Sequence, residues 1–209
     1  MPQSAPVPAR SRKVKALLAG GLVLGVGAAV TLASWTDEAY VEATFGTSSF
    51  NVQVTSDGGT AWEEADTPGT ASALIFSLGF DTLEPGATVY APVSLQTDPA
   101  GSVAGTVTLE GAAAGAGGDE ALFDALRYTV TALEEDTRCA AGSVAGETLA
   151  DGPLTTGSDP GAITLAADGG NQVDLCFAVS LPRDVDRNTA LQGVSTSALW
   201  RFAASSDDA

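Results

Sequence analysis

Residues 173–181 read VDLCFAVSL, and apolar side chains occupy every second position of this stretch. Successive side chains of a β-strand point to opposite faces, so a period of two predicts a strand with one face in a core. Cys176 falls in the opposite row. The apolar row consists of Val173, Leu175, Phe177, Val179 and Leu181. This stretch favours a fold built from half-buried strands.

The same alternation recurs elsewhere in the chain. It is found in residues 50–54, 89–95, 103–110 and 194–202. Turn formers, among them Glu84-Pro85-Gly86, separate the alternating stretches. Helical spacing is confined to residues 119–127, which predict one short helix. About eight to ten strands with one short helix predict an all-β fold, a jelly-roll-like β-sandwich.

The chain of 209 residues divides into three predicted parts. Residues 1–33 form a signal peptide with a signal helix, and residues 34–204 form the β-sandwich domain. The polar residues 205–209 form a disordered tail. The chain after residue 33 is long enough for one domain with a substantial core and too short for two.

The N-terminal region has the features of an export signal. Arg10, Arg12, Lys13 and Lys15 precede an uninterrupted apolar and small-residue run, residues 16–33. The run ends in Thr31-Leu32-Ala33, a small-x-small site. These features predict that a signal peptidase cleaves between Ala33 and Ser34 and that the product is secreted.

A retained membrane anchor is the competing interpretation of the same run. Residues 16–33 are at the lower limit for spanning a bilayer, and they include four glycines. The basic flank and the small-residue exit favour cleavage, so we expect no stable membrane insertion of the mature protein.

The charge of the chain is strongly acidic and unevenly distributed. The formal net charge is −17, from nine basic and 26 acidic residues. Four of the basic residues precede the apolar run, so five remain against 26 acidic ones in the mature part, a formal charge of −21. This surface repels nucleic-acid phosphates and anionic lipid, so nucleic acid is not an expected partner.

Histidine is absent from the sequence, and cysteine occurs twice. The absence of histidine removes the commonest general base and the commonest metal ligand, so no catalytic residue, metal site or cofactor is predicted. An even number of cysteines in an exported domain predicts a disulfide between Cys139 and Cys176. Because Cys176 lies opposite the apolar row, the bond is expected to clamp a connection over the outside of the strand.

Residues 35–45 predict a strand at the newly exposed N-terminus, within a segment covering residues 34–46. Their apolar row consists of Trp35, Ala39, Val41, Ala43 and Phe45 and is interrupted by Asp37. The alternate positions include Glu38, Glu42 and Thr44. After cleavage this strand has a free end, so it can pair with an open sheet edge of another chain or within its own sheet.

The N-terminal junction resembles that of the TasA/camelysin family, whose members are exported through a signal peptidase of the SipW type. The resemblance rests on the Gly/Ala-rich run before Ala33, Trp35, the acidic pair Asp37-Glu38 and the stretch Ala43-Thr44-Phe45-Gly46-Thr47. A Leu-x-Pro-Gly motif at residues 83–86 and the closing stretch of residues 191–202 are also similar. The match at the N-terminus covers about 30 residues, and the middle of the chain matches only in its strand character.

The resemblance implies a jelly-roll subunit that is secreted or held at the surface of a Gram-positive cell. It also implies assembly into extracellular matrix fibres, in which the segment after the cleavage site completes a neighbouring subunit's sheet. The expected partner is therefore another copy of the chain, and residues 35–45 are the assembly strand. The expected function is that of a non-enzymatic structural protein.

Two other functions stay open at this stage. One is a monomeric surface module that binds a cation, glycan or protein through its loops. The other is a metalloendopeptidase, as some members of the family are described, although the chain contains no H-E-x-x-H motif. Carboxylate pairs such as Glu63-Glu64 are interpreted as solvated surface, and Asp168-Gly169-Gly170-Asn171 as a turn.

Overall fold

The computed structural model describes residues 13–14, 49–185 and 189–207. The chain divides between Phe45 and Gly46, and the strands described below belong to the C-terminal unit, Gly46–Ala209. The signal helix, the cleavage site between Ala33 and Ser34 and the N-terminal strand of residues 34–46 lie outside the described residues.

The described residues after position 48 contain eight β-strands and one α-helix. The strands are β1 (Val52–Thr55), β2 (Thr88–Thr97), β3 (Gly105–Ala114), β4 (Arg127–Leu133), β5 (Gly146–Pro153), β6 (Ile163–Leu165), β7 (Val173–Ser180) and β8 (Ala198–Ser206). The helix is α1 (Glu120–Ala125). Short 3₁₀ turns cover Pro68–Thr70, Phe80–Thr82, Ala167–Gly169, Arg183–Val185 and Thr189–Leu191. The prediction of an all-β fold with a short helix is confirmed.

The strands form two antiparallel sheets. One has five strands in the order β1-β2-β7-β4-β5, and the other has three in the order β6-β3-β8. The alternating stretch at residues 173–181 contains β7, which pairs with β2 on one side and β4 on the other. Its predicted apolar row faces the core, where Leu175 and Phe177 are fully buried.

Four aromatic side chains join the two sheets across the core. Phe177 of β7 makes edge-to-face contacts with Trp200 and Phe202 of β8, with ring centroids 5.3 and 6.3 Å apart. Tyr128 of β4 packs against Phe177 and Trp200 at 6.2 and 5.9 Å. Such pairs stabilise a core beyond the area that they bury.

Helix α1 connects β3 to β4 and closes one end of the core. Asp119 precedes the helix, and its side chain accepts a hydrogen bond from the Leu122 backbone N–H at 2.8 Å. This is an N-terminal cap that satisfies one of the free donors of the first turn. The helix buries Phe123 against the core.

The last strand differs from its prediction at both ends. The alternating stretch starts at Val194, but β8 begins at Ala198. At its other end, the prediction of a disordered tail is wrong for Ser205 and Ser206. Both pair with β3, through Thr106 and Gly105, and Asp207 N–H donates to the Ala104 carbonyl at 3.0 Å. These backbone hydrogen bonds outweigh the polar character of the side chains.

The substitution Tyr128→Phe is expected to lower the free energy of unfolding by about 1 kcal/mol at neutral pH, because the Thr156 carbonyl then loses its donor, the Tyr128 hydroxyl. Burial raises the pKa of Tyr128 from 10.0 to about 12. The contribution of Tyr128 to the free energy of unfolding is therefore complete below pH 10 and is lost as the pH rises towards 12. Urea unfolding at successive pH values checks this, and an equal alkaline loss in the variant would contradict it.

Candidate functional site

An apolar groove opens between the two sheets, on the side where β1 and β8 form their edges. Its volume is about 1340 Å³, and its walls come from β1, β2 and β7 of one sheet and β8 of the other. Core side chains, including Val93, Leu95 and Phe177, line it. These three side chains are themselves buried, so they lie beneath the floor of the groove, against the hydrophobic core.

Strand β8 forms one wall of the groove and is a sheet edge. It pairs with β3 on one side, and no backbone hydrogen bond joins its other side to any described residue. Residues 198–200 and 202–203 are half-buried, and Arg201 is exposed. An edge of this kind offers backbone N–H and C=O groups to a further strand.

A second wall is a segment outside the helices and strands, residues 72–76, which we call the strap. Its residues alternate between half-buried and exposed, and Leu74 and Phe76 pack against the core. Within the described chain, none of its backbone N–H or C=O groups makes a hydrogen bond. The strap thus has the side-chain pattern of a strand without a partner strand.

The strap has a contact at each of its ends, one with the residue that follows β1 and one with β2. The hydroxyl oxygens of Ser72 and Ser56 lie 3.5 Å apart. Beyond the other end, Ser77 N–H donates to the Tyr90 carbonyl at 2.8 Å, and Tyr90 N–H donates to the Ser77 hydroxyl at 3.1 Å. The groove therefore lies between an edge of the three-stranded sheet and a segment attached to the other sheet.

Two buried polar atoms at the groove make no hydrogen bond of normal geometry with a described residue. They are the indole N–H of Trp200 and the hydroxyl of Thr196, and both residues line the groove. The Trp200 indole interacts with the Tyr128 hydroxyl, so the Thr196 hydroxyl is the one of the two without a described partner, at a cost of roughly 1–3 kcal/mol.

Residues 49 and 50, just before β1, lie at one end of the groove. Ser49 forms a bridge with Ser102, and its carbonyl accepts from Val103 N–H at 3.0 Å. Phe50 lines the groove. A Cβ built on Gly105 would lie 2.6 Å from the Phe50 ring and 2.4 Å from the Ser205 carbonyl oxygen, so only glycine allows this close approach. The start of β1 and the end of β8 therefore meet at Gly105.

The loop that follows β1, one of the strands at the groove, is stabilised by the carboxylate of Asp57. Asp57 follows β1 and accepts hydrogen bonds from the Thr55 hydroxyl at 2.6 Å and from the N–H groups of Thr60 and Ala61 at 2.9 and 3.1 Å. The Thr55 hydrogen bond is the main cause of a pKa of Asp57 below its usual 3.8. The loop returns the chain to Glu63, which pairs with Val54.

The predicted disulfide between Cys139 and Cys176 is confirmed and lies away from the groove face. The sulfur atoms are 2.02 Å apart and the Cα atoms 5.1 Å apart. Cys176 is buried on the side of β7 opposite to the core, under the connection between β4 and β5. The bond thus clamps a connection over the outer face of the five-stranded sheet, as predicted.

The described residues 13–14, 49–185 and 189–207 contain no group of three or more Cys, Asp or Glu side chains arranged to hold a metal ion. Asp168 lies in a 3₁₀ turn, in agreement with its interpretation as a turn. In the same ranges, no helix combines the length and apolar character required to cross a membrane.

The sequence did not indicate the groove or the strap. The predicted assembly residues Trp35, Ala39, Val41, Ala43 and Phe45 lie outside the described residues, as do Ala33 and Ser34. The one signal for the strap was the weak alternation of Ser72, Leu74 and Phe76 with alanine and isoleucine between them.

No protein-family model and no curated protein matches the chain.

Proposed function

We propose that this chain is a secreted, non-enzymatic structural protein that self-associates through its N-terminal strand. Residues 35–45 of one copy lie in the groove of another copy and pair with the free edge of β8. The observation that carries the proposal is the edge of β8, which pairs with no strand among the described residues and lies beside an apolar groove. The resemblance of the N-terminal junction to the TasA/camelysin family agrees with this function and with a location at a Gram-positive cell surface.

The order of the strands supports an additional strand beside β8. An eight-stranded jelly roll has sheets in the orders 1-8-3-6 and 2-7-4-5, with the first strand next to the last. The orders β6-β3-β8 and β2-β7-β4-β5 correspond to seven of these strands. Strand β1 instead extends the other sheet beyond β2. In a jelly roll of this order, the first strand would lie along the edge of β8 that has no partner among the described residues, facing the groove.

The side-chain pattern of residues 35–45 suits this position. Apart from Asp37, near the free end, one row of the strand is apolar and would face the core, whereas Glu38, Glu42 and Thr44 would face the solvent. Burial of a large side chain such as Trp35 or Phe45 contributes roughly 1.5–3 kcal/mol each, enough to favour association if several are buried together.

The reach of the chain favours a strand from another copy. Ser49 lies beside the residues at which β8 ends, and β8 is nine residues long, or ~30 Å at ~3.4 Å per residue. The connection from Phe45 to Ser49 spans at most ~14 Å. The chain's own strand could therefore lie along β8 only in the parallel direction. A strand from a second copy can lie antiparallel, as in all pairs of the two sheets.

Association is expected to strengthen with salt. The mature chain has a formal charge of −21, and Asp37, Glu38 and Glu42 lie in the incoming strand. At the groove, Arg201 already pairs with Glu110 at 3.1 Å. Screening the repulsion should lower the Kd for self-association by about tenfold between 0.05 and 0.5 M NaCl. Sedimentation velocity over this range measures the effect, and weaker association at high salt would contradict it.

A competition experiment tests the proposed function. Mature protein, residues 34–209, is expected to form oligomers whose size grows with concentration. An excess of a peptide with the sequence of residues 35–45 should suppress them, and a scrambled peptide of the same composition should not. A mature protein that stays monomeric at every concentration and salt overturns the proposal and leaves the surface binding module as the better account.

A further inference from the structure

We propose that the strap becomes a strand when the groove is filled, so that the incoming chain is hydrogen-bonded along both of its edges. One edge would pair with β8 and the other with residues 72–76. The three-stranded sheet would then have the order β6-β3-β8-incoming strand-strap. The inference rests on the proposed function for the identity of the incoming strand and adds the second half of its binding site.

The backbone of the strap supports this inference. Its side chains alternate between half-buried and exposed, as those of a strand do, and its peptide groups have no hydrogen-bond partner within the described chain. Backbone N–H and C=O groups next to an apolar surface are normally paired. Because Ser72 and Leu74 line the same groove as β8, a strand placed there would reach peptide groups on both sides.

The contacts that hold the strap also support the inference. Its side chains Leu74 and Phe76 hold it against the core, and the contacts of Ser72 with Ser56 and of Ser77 with Tyr90 hold its two ends. These contacts therefore restrict the segment between them before any partner arrives. A partner strand then orders few additional residues, which lowers the entropic cost of binding.

Exposed apolar side chains on and after the strap further support the inference. Ile75, Leu78 and Phe80 are 59, 100 and 61% exposed. Phe80 stacks on Phe76, with ring centroids 6.4 Å apart. Apolar side chains concentrated on one exposed segment are typical of interaction surfaces. Of the three, Phe80 lines the groove, and Ile75 and Leu78 lie beside it in the sequence.

The test is hydrogen exchange of the mature protein, residues 34–209, as a dilute monomer and in its assembled form. The amides of residues 72–76 are expected to exchange rapidly in the monomer and about 100-fold more slowly after assembly, together with the amides on the free edge of β8. Protection of β8 without protection of the strap overturns this inference and leaves the proposed function intact. Assembly that protects neither segment overturns both.

A pair of proline substitutions gives an independent readout. Neighbouring residues of a strand point their N–H groups in opposite directions. Of Ser72→Pro and the double change Ser72→Ala with Ala73→Pro, both of which lack the Ser72 hydroxyl, only one therefore removes a donor that faces the incoming strand. That variant should self-associate at least about tenfold more weakly than the other. The strap lies outside the hydrogen-bonded sheets, so neither change breaks an existing backbone pair. Equal and unweakened association of both variants overturns the inference.

Discussion

Mature protein carrying Val41→Asp is expected to stay monomeric at concentrations where the unchanged chain assembles. Val41 belongs to the apolar row of residues 35–45, which in our account enters the core of a second copy. A carboxylate at this position would be buried without a partner. The loss of the valine contact and the desolvation of the charge together cost at least about 3 kcal/mol, or more than about 100-fold in Kd.

The matched control is Thr44→Asp, which introduces the same charge on the solvent-facing row of the same strand. It should reduce association only by the additional repulsion, about threefold, and this reduction should vanish in high salt. Sedimentation velocity of both variants at low and high salt separates the two effects. Equal losses in the two variants would show that the side-chain row is irrelevant and would contradict the buried-strand account.

Removal of the disulfide through the double substitution Cys139→Ser and Cys176→Ser is expected to lower the free energy of unfolding by about 3–4 kcal/mol. The bond closes a loop with a sequence separation of 37 residues, and a cross-link of this length restricts the unfolded chain by about that amount. Urea unfolding with and without reductant measures the effect. The double variant is the control, because its unfolding curve should not respond to reductant.

A second readout locates the effect of the disulfide in the connection between β4 and β5. Arg138 is an exposed trypsin site next to Cys139. The main backbone contacts of the connection are local, such as the hydrogen bond from Glu134 N–H to the Ala145 carbonyl at 3.0 Å. Trypsin should therefore cut after Arg138 faster once the bond is reduced. A stability loss under about 1 kcal/mol with unchanged cleavage would show that the clamp is unimportant.

The strands that carry the core could be predicted from the sequence because their apolar rows are long and regular. β7 is the clearest case, since its row faces the core along its whole length. β5 has no such row. Its residues read GETLADGP, and Ala150 is its one buried residue. β5 forms the edge of the five-stranded sheet, where one pairing partner can stabilise a strand with little burial.

The groove could not be predicted, because it depends on which strands are neighbours. The pattern of β8 indicates that Trp200 and Phe202 face a core, but it does not indicate that the opposite edge of the strand lacks a partner. The strap was missed for a related reason. Leu74 and Phe76 alternate over too few residues to distinguish an extended segment from a loop.

In our account, residues 35–45 of one copy lie beside β8 of another. The most direct measurement places a photoreactive amino acid at residue 44 and mixes equal amounts of ¹⁵N-labelled and unlabelled mature protein before assembly. Mass spectrometry then identifies the cross-linked peptides. We expect cross-links from residue 44 to residues 198–206 that join a labelled to an unlabelled chain. Cross-links confined within single chains, or directed to residues remote from the groove, would contradict the account.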